Sequence, residues 1–135
     1  MKTKGLLFFA LGLTACSSPT TQEETVPDGV YCYKNTFGPD STSTYQDVEK
    51  LNFTIQKGQV SGELVWLPAY KDARKGIITG KAVDNKLEVL YSFMQEGQKD
   101  SVVINMEPTE TEIILTYAEP EKSLSKAILK IECEK

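Results

Sequence analysis

Histidine is absent from the 135 residues of the chain. This absence excludes the Ser-His-Asp triad, the H-E-x-x-H zinc site and most general acid–base catalysis that depends on an imidazole. Enzymes are therefore disfavoured as a class, and neither a cofactor nor a metal is expected. Because 40% of the residues are hydrophobic and the formal net charge is only −4, the composition indicates a folded chain, and the length suits one domain.

A hydrophobic run long enough to cross a membrane is also missing. The apolar segment 6–13 is far shorter than the roughly 20 residues that a spanning helix needs. It follows two lysines and ends in Leu13-Thr14-Ala15-Cys16. These features indicate a signal peptide over residues 1–15.

The last four of these residues resemble the lipobox of bacterial lipoproteins. In that family the cysteine receives a diacylglycerol and becomes the first residue after cleavage. The resemblance therefore implies lipid attachment at Cys16. The alternative is an ordinary secretory signal, which would leave Cys16 as an unpaired thiol outside the cell.

Cleavage would make the mature chain more acidic. It removes two of the 15 basic residues and none of the 19 acidic ones, which leaves a net charge of −6. Nucleic acid is thus not an expected partner, and the membrane would be held through acyl chains. The segment of residues 16–27 is short and polar, and this composition predicts a flexible tether. Because Ser17 and Ser18 resemble the sorting pattern of outer-membrane lipoproteins, the expected location is the bacterial cell envelope, at the outer membrane.

From residue 28 onward, apolar residues recur with a period of two between short turn segments. This pattern predicts an all-β domain over residues 28–135, an eight-stranded antiparallel up-and-down barrel of lipocalin-like type. The predicted strands cover residues 30–37, 50–56, 60–67, 76–83, 87–94, 101–106, 112–117 and 125–133. The predicted inward-facing residues are Leu51, Phe53, Ile55, Leu64, Trp66, Tyr91, Phe93, Ile104, Leu115 and Ile131. Since this set is bulky, a large apolar cavity is not expected.

Two cysteines lie near opposite ends of the predicted barrel. Closing an even-numbered meander places the first strand beside the last, so Cys32 and Cys133 would become neighbours. Cysteines of exported proteins usually pair, and we therefore expect a Cys32–Cys133 disulfide. The alternatives are two small buried side chains or a reactive thiol, and the reactive thiol lacks both a C-x-x-C spacing and a histidine.

The connections of a meander alternate between its two rims. The longer ones, predicted at residues 38–44, 68–75, 95–99 and 119–123, share one rim, and the tether leaves from the other. Binding residues tend to lie on such loops. The candidate ligand or partner contacts near the long-loop rim are Tyr45, Trp66, Tyr70, Arg74 and Tyr117. The competing interpretation is a solvated loop for Tyr70 and Arg74, and packing for Trp66.

Three segments, residues 60–64, 76–80 and 91–97, resemble uncharacterised bacterial envelope lipoproteins with calycin-like barrels. The pair Tyr31-Cys32 is similar to an element of lipoprotein inhibitors of lysozyme, although their inhibitory loop motif has no counterpart here. We therefore expect a membrane-anchored, non-enzymatic binding or interaction module, whose partner is a small ligand or an envelope protein. The alternatives are an inhibitor of a cell-wall hydrolase such as lysozyme, or a carboxylate- or metal-dependent envelope enzyme.

Lipid attachment at Cys16 predicts that cells fed a labelled fatty acid incorporate the label into the chain. Cys16→Ala should abolish the label because it removes the acceptor thiol, whereas Ser17→Ala should keep it. The measurement is gel fluorography of the immunoprecipitated chain. Equal labelling of wild type and Cys16→Ala would contradict the assignment.

Overall fold

The computed structural model describes residues 12–13, 15–18, 25–37, 46–118 and 124–135. Its elements are eight β-strands, as predicted. They are β1 (Gly29–Phe37), β2 (Asp47–Gln56), β3 (Gln59–Leu67), β4 (Arg74–Val83), β5 (Lys86–Gln95), β6 (Gln98–Pro108), β7 (Glu112–Tyr117) and β8 (Leu124–Leu129). Each strand pairs antiparallel with the next, in the order β1 to β8, and the sheet curls into a nearly closed barrel. The predicted all-β, up-and-down architecture is confirmed.

Two-residue turns close several of the hairpins. Lys57-Gly58 and Glu96-Gly97 both have positive φ angles at their two positions, of 51° and 74° in the first and 52° and 73° in the second. Such a pair of angles is typical of a type I′ turn, which matches the twist of the flanking strands. The long connection predicted over residues 95–99 is therefore wrong. Because the turn is tight, Gln95 belongs to β5.

The core consists of the alternate residues that face the barrel interior. The alternation predicted for β2, with Leu51, Phe53 and Ile55 inward, is confirmed by their burial. The complete cluster of buried core residues is Tyr33, Leu51, Phe53, Ile55, Val60, Leu64, Ile78, Leu87, Val89, Tyr91, Ile104, Met106, Ile113, Leu115 and Ile128. Most of the predicted inward set lies in it, and this apolar packing is the main stabilising contribution to the fold.

Inward-facing glycines let strands approach rather than leave room for a ligand. A Cβ atom at Gly62 would overlap the backbone of Asn52 on β2, and one at Gly80 would overlap the backbone of Glu88 on β5. The neighbouring strands therefore come closer at these two points than any other residue would permit. This is the role that glycine usually has within a strand of a small barrel.

The last strand differs from its prediction in both length and phase. It ends at Leu129 instead of residue 133. The residue that faces the core is Ile128, whereas Leu129 and Ile131 are 56% and 40% exposed. The sequence pattern misled because most apolar residues of this segment lie in the outward-facing phase. They are Ala127, Leu129 and Ile131. The predicted inward position of Ile131 is therefore wrong, because this residue is exposed and lies beyond the end of β8.

The seam between β1 and β8 closes the barrel with few backbone contacts. A single bridge joins Tyr33 to Lys130, and the amide of Ile131 donates to the carbonyl of Cys32 at 3.0 Å. Further along the seam, the Asn35 side chain takes the place of the ladder. Its Nδ2 donates to the carbonyl of Ala127 at 2.7 Å, and its Oδ1 accepts from the amide of Leu129 at 3.0 Å.

A disulfide between Cys32 and Cys133 reinforces this seam. The two residues are 101 positions apart in sequence, and their Cα atoms are 5.3 Å apart. Because Tyr31 and Tyr33 face the interior, Cys32 lies on the outside of β1, and the chain beyond β8 leaves the sheet to reach it. The predicted pairing is confirmed.

The segment before β1 packs against the end of the barrel that carries the β2–β3 turn. Val26 packs against the core, and the Tyr31 hydroxyl donates to the carbonyl of Pro27 at 2.6 Å. The Asp28 carboxylate accepts from the amides of Lys57 and Gly58, at 2.7 and 3.3 Å. The chain thus joins the barrel at the short-turn rim, on the side away from the β3–β4 connection.

The disulfide predicts a large loss of stability when both cysteines are replaced. In the loop-entropy model, a link across about 100 residues contributes roughly 4 to 5 kcal/mol to the free energy of unfolding. We expect Cys32→Ser/Cys133→Ser to lose a substantial part of this amount in urea unfolding of the non-reduced protein. Cys16→Ser, which removes the free cysteine, is the control and should unfold like wild type. A double variant with an unchanged unfolding midpoint would show that the disulfide is dispensable.

Candidate functional site

Charged side chains face inward at one end of the described barrel interior, the end nearest the β1–β2, β3–β4 and β7–β8 connections. Asn35, Glu49, Trp66 and Arg74 are successive register partners across β1 to β4, on the strand face that also carries the core. We call this end the mouth. It comprises Asn35, Asp47, Glu49, Trp66, Arg74, Tyr91, Phe93, Gln95, Asp100, Tyr117 and Lys126.

A buried carboxylate in the mouth is paired with a partly exposed lysine. Glu49 is only 3% exposed, and the Lys126 ammonium donates a hydrogen bond to its Oε1. Lys126 lies on β8, so the pair reaches across the intervening β1. The Lys126 nitrogen also lies 5.1 Å from the ring centroid of Tyr117. Burial lowers the pKa of Lys126, but Tyr117 and Glu49 outweigh this effect and raise it, so the ammonium is charged at neutral pH.

Arg74, the first residue of β4, is held by uncharged groups. Its Nε and Nη2 donate to Oε1 of Gln95 at 2.9 and 2.5 Å, and its guanidinium carbon lies 4.6 Å from the ring centroid of Phe93. The two ion pairs within the described part of the chain are Lys86–Glu107 and Lys126–Glu49, and neither includes Arg74. Arg74 is therefore oriented by an amide and a ring, while its positive charge has no carboxylate counterpart among those residues.

Two tyrosines line the mouth in their neutral form. Tyr91 is buried, donates to the carbonyl of Leu64 at 2.9 Å and stacks on Phe93 at 4.9 Å between ring centroids. Burial is the main cause that raises the pKa of Tyr91, and it also raises that of Tyr117, against the opposing effect of Lys126. Since both phenols remain protonated well above neutral pH, they are suited to hydrogen bonding and ring contacts and not to proton abstraction.

These groups can hold a small polar molecule through charge, hydrogen bonds and ring faces. Arg74 and Lys126 lie with Glu49 on the inner strand face, and two further carboxylates, Asp47 on β2 and Asp100 on β6, lie on the same face at this end. The five groups sum to a charge of about −1 when all are ionised. In the described ranges, no three cysteine or acidic side chains gather in a way that could bind a metal ion. No helix within the same ranges is long and apolar enough to cross a membrane.

The structure brings three of the five predicted contact residues to the mouth. Arg74 and Trp66 are strand neighbours in register, and Tyr117 contacts Lys126. The predicted position of Arg74 was in the connection over residues 68–75, and this is wrong because Arg74 is the first residue of β4. Tyr70 is 80% exposed on the β3–β4 connection, and Tyr45 lies outside the described residues.

Sequence reasoning missed Glu49, Gln95 and Lys126. Glu49 stands two residues before Leu51 in the inward phase of β2, so a charged residue on an apolar face was the available signal. Lys126 was hidden because the apolar count in β8 favours the opposite phase. Gln95 was hidden because a longer loop was expected where the chain makes a tight turn.

No protein-family model, curated protein or solved structure matches the chain. The function must therefore be inferred from the site itself.

The buried pair predicts a non-additive response to mutation. Lys126→Met leaves the Glu49 carboxylate buried without its partner, and we expect it to lower the free energy of unfolding by about 1 to 3 kcal/mol, less than for a fully buried pair because Lys126 is 40% exposed. Glu49→Gln/Lys126→Met should recover most of this loss in urea unfolding. Additive effects of the two substitutions would mean that the pair is not coupled.

Proposed function

We propose that this protein is a lipid-anchored lipoprotein of the bacterial envelope whose barrel binds a ligand at the mouth without changing it chemically. The observation that carries the proposal is the inward-facing layer of charged and aromatic groups at one end of an otherwise apolar interior. Its charged members are Asp47, Glu49, Arg74, Asp100 and Lys126.

Folding accounts for only part of this layer. Asn35 and the Glu49–Lys126 pair join β8 to β1 and β2 at the seam, whereas Arg74 has no role in closure. Removing charges from water is costly, and a buried ion pair replaced by well-packed apolar residues is often neutral or stabilising. The deeper layers of this barrel are filled by apolar residues such as Ile78, Val89 and Ile104, which are nearly inaccessible to solvent. Retaining the charge of Arg74 at the mouth is therefore better explained by a ligand than by stability.

The position of the tether supports presentation of the mouth. The chain joins the barrel at the short-turn end, where Val26 packs against the core and Asp28 accepts from the amide of Lys57. The mouth lies at the other end. About ten residues separate Cys16 from this point, an extended reach of roughly 35 Å. A lipid on Cys16 would thus leave the mouth directed away from the membrane, open to soluble or cell-wall partners.

The chemistry of the site favours binding over catalysis. The Glu49 carboxylate is engaged by Lys126, the phenols of Tyr91 and Tyr117 are neutral, and the chain has no histidine to move protons. An enzyme would need a group poised to gain or lose a proton near neutral pH. Inhibition of a cell-wall hydrolase is a binding function that would use the same exposed end.

The proposal predicts that a compound from the envelope binds at the mouth and is recovered with unchanged mass. The isotope-labelled mature chain, beginning at residue 16 with Cys16→Ser, is suitable because the core draws on no described residue before Val26. We would add fractionated envelope lipids, glycans and peptidoglycan fragments separately. Binding is followed through amide resonances of β2, β4 and β8, and mass spectrometry identifies the retained compound.

Two tyrosine variants provide the matched comparison. Tyr117→Leu alters the mouth and should weaken binding at least tenfold, whereas Tyr70→Leu alters an exposed loop and should not. Loss of binding in Tyr70→Leu alone would place the site on the β3–β4 loop. Conversion of the compound to a product would favour the enzyme alternative, and inhibition of lysozyme by the chain would favour the inhibitor alternative.

A further inference from the structure

We propose that the ligand of the mouth is an organic anion, a carboxylate or phosphate attached to a flat apolar body, and that Arg74 receives its negative charge. This inference rests on the proposed function and specifies the chemistry of the same site. It depends on how Arg74 is held, on which cation remains available and on which rings surround it.

The first argument is the uncompensated charge of Arg74. The residue is partly buried, yet among the residues that the structure describes its hydrogen-bond acceptor is the neutral amide of Gln95. A cation that loses hydration normally gains a carboxylate partner, because burying an unpaired charge is costly. Lys126 follows this rule through Glu49, and Arg74 does not. An incoming anion would complete the arrangement.

The second argument is the orientation of the guanidinium group. Nε and Nη2 converge on one oxygen of Gln95, and the ring of Phe93 supports the guanidinium carbon at 4.6 Å. An arginine carries five N–H donors, so about three remain for a ligand. Because the side chain is already fixed on two sides, a bound anion would lose little affinity to ordering it.

The third argument concerns the two cations of the mouth. Lys126 is engaged by the carboxylate of Glu49. Arg74 is thus the cation with an open counter-charge, and it lies in a mature chain whose net charge is expected to be −6. Since the surrounding charge is mostly negative, the preference for an anion comes from the N–H donors of Arg74 itself and not from the long-range field.

The fourth argument is the set of rings beside Arg74. Trp66 is its register partner on β3, Phe93 lies under its guanidinium group, and Tyr91 stacks on Phe93. Ring faces favour flat or apolar groups. The combined site therefore fits a ligand with a single anionic group and an adjoining ring or short apolar chain.

The test compares three probes of one shape: 2-naphthoate, 2-naphthyl phosphate and neutral 2-naphthamide. They are titrated into the labelled mature chain with Cys16→Ser. Trp66 is the only tryptophan, so its indole N–H resonance reports the mouth without ambiguity. We expect at least one anionic probe to bind ten times or more tighter than the amide. The two anions distinguish a carboxylate from a phosphate ligand.

The matched variants are Arg74→Gln and Lys75→Gln, since the neighbouring Lys75 is exposed on the outer face of β4. Arg74→Gln should weaken the anion at least tenfold and leave the amide unchanged, whereas Lys75→Gln should change neither. Gln95→Leu, which releases Arg74, should give an intermediate loss.

Three results would overturn the inference. If the amide binds at the mouth as tightly as the anions, the preference for charge fails while the proposed binding function stands. If Arg74→Gln and Lys75→Gln weaken the anion equally, the effect comes from net charge and Arg74 is not the receiving group. If no probe shifts the Trp66 resonance at millimolar concentration, the predicted ligand class is wrong, and the trial with envelope fractions still tests the binding function independently.

Discussion

Closure between β1 and β8 is the constraint on which the rest of this barrel depends. The two strands come from opposite ends of the domain, and bringing them together carries the loop-closure cost of about 100 residues. One backbone bridge, the side chain of Asn35 and the Cys32–Cys133 disulfide hold them in place. Without closure, the inner face of an eight-stranded sheet would be exposed to water.

Closure also builds the mouth. Lys126 on β8 reaches Glu49 on β2 only because closure brings β8 beside β1, which is itself paired with β2. Asn35 belongs to both arrangements, since it bonds β8 and is the register partner of Glu49. The seam and the charged pair are therefore coupled, and a change that opens the seam would separate Glu49 from Lys126.

Much of this fold could be predicted from the sequence, because strand periodicity and turn residues are local signals. The alternation around Leu51, Phe53 and Ile55 was sufficient to place β2. The up-and-down topology, together with the expectation that the chain is exported, was sufficient to favour pairing of Cys32 with Cys133. The phase of β8 was not predictable in this way. Ile128 faces the closed interior although more apolar residues lie on the opposite face of β8. Only the tertiary structure shows which of the two faces is buried.

The candidate site was less predictable for a related reason. Trp66, Arg74 and Tyr117 were found as aromatic and cationic residues near one rim, but residue type does not reveal which of them share an interior layer. Glu49 resembles any solvated glutamate until β2 is known to continue inward beyond Leu51. What turns these residues into a site is their common position above the apolar core, which is a property of the closed barrel and not of any single strand.

The two ends of the barrel are specialised in opposite ways. At the short-turn end, the Asp28 carboxylate accepts from the backbone amides of Lys57 and Gly58, and Val26 packs against the core, so these groups serve the fold. At the mouth, charged and aromatic side chains lie next to the same core. A rigid apolar centre between these ends holds Arg74 and its neighbours in fixed positions, which is the condition under which a few polar groups can discriminate between ligands.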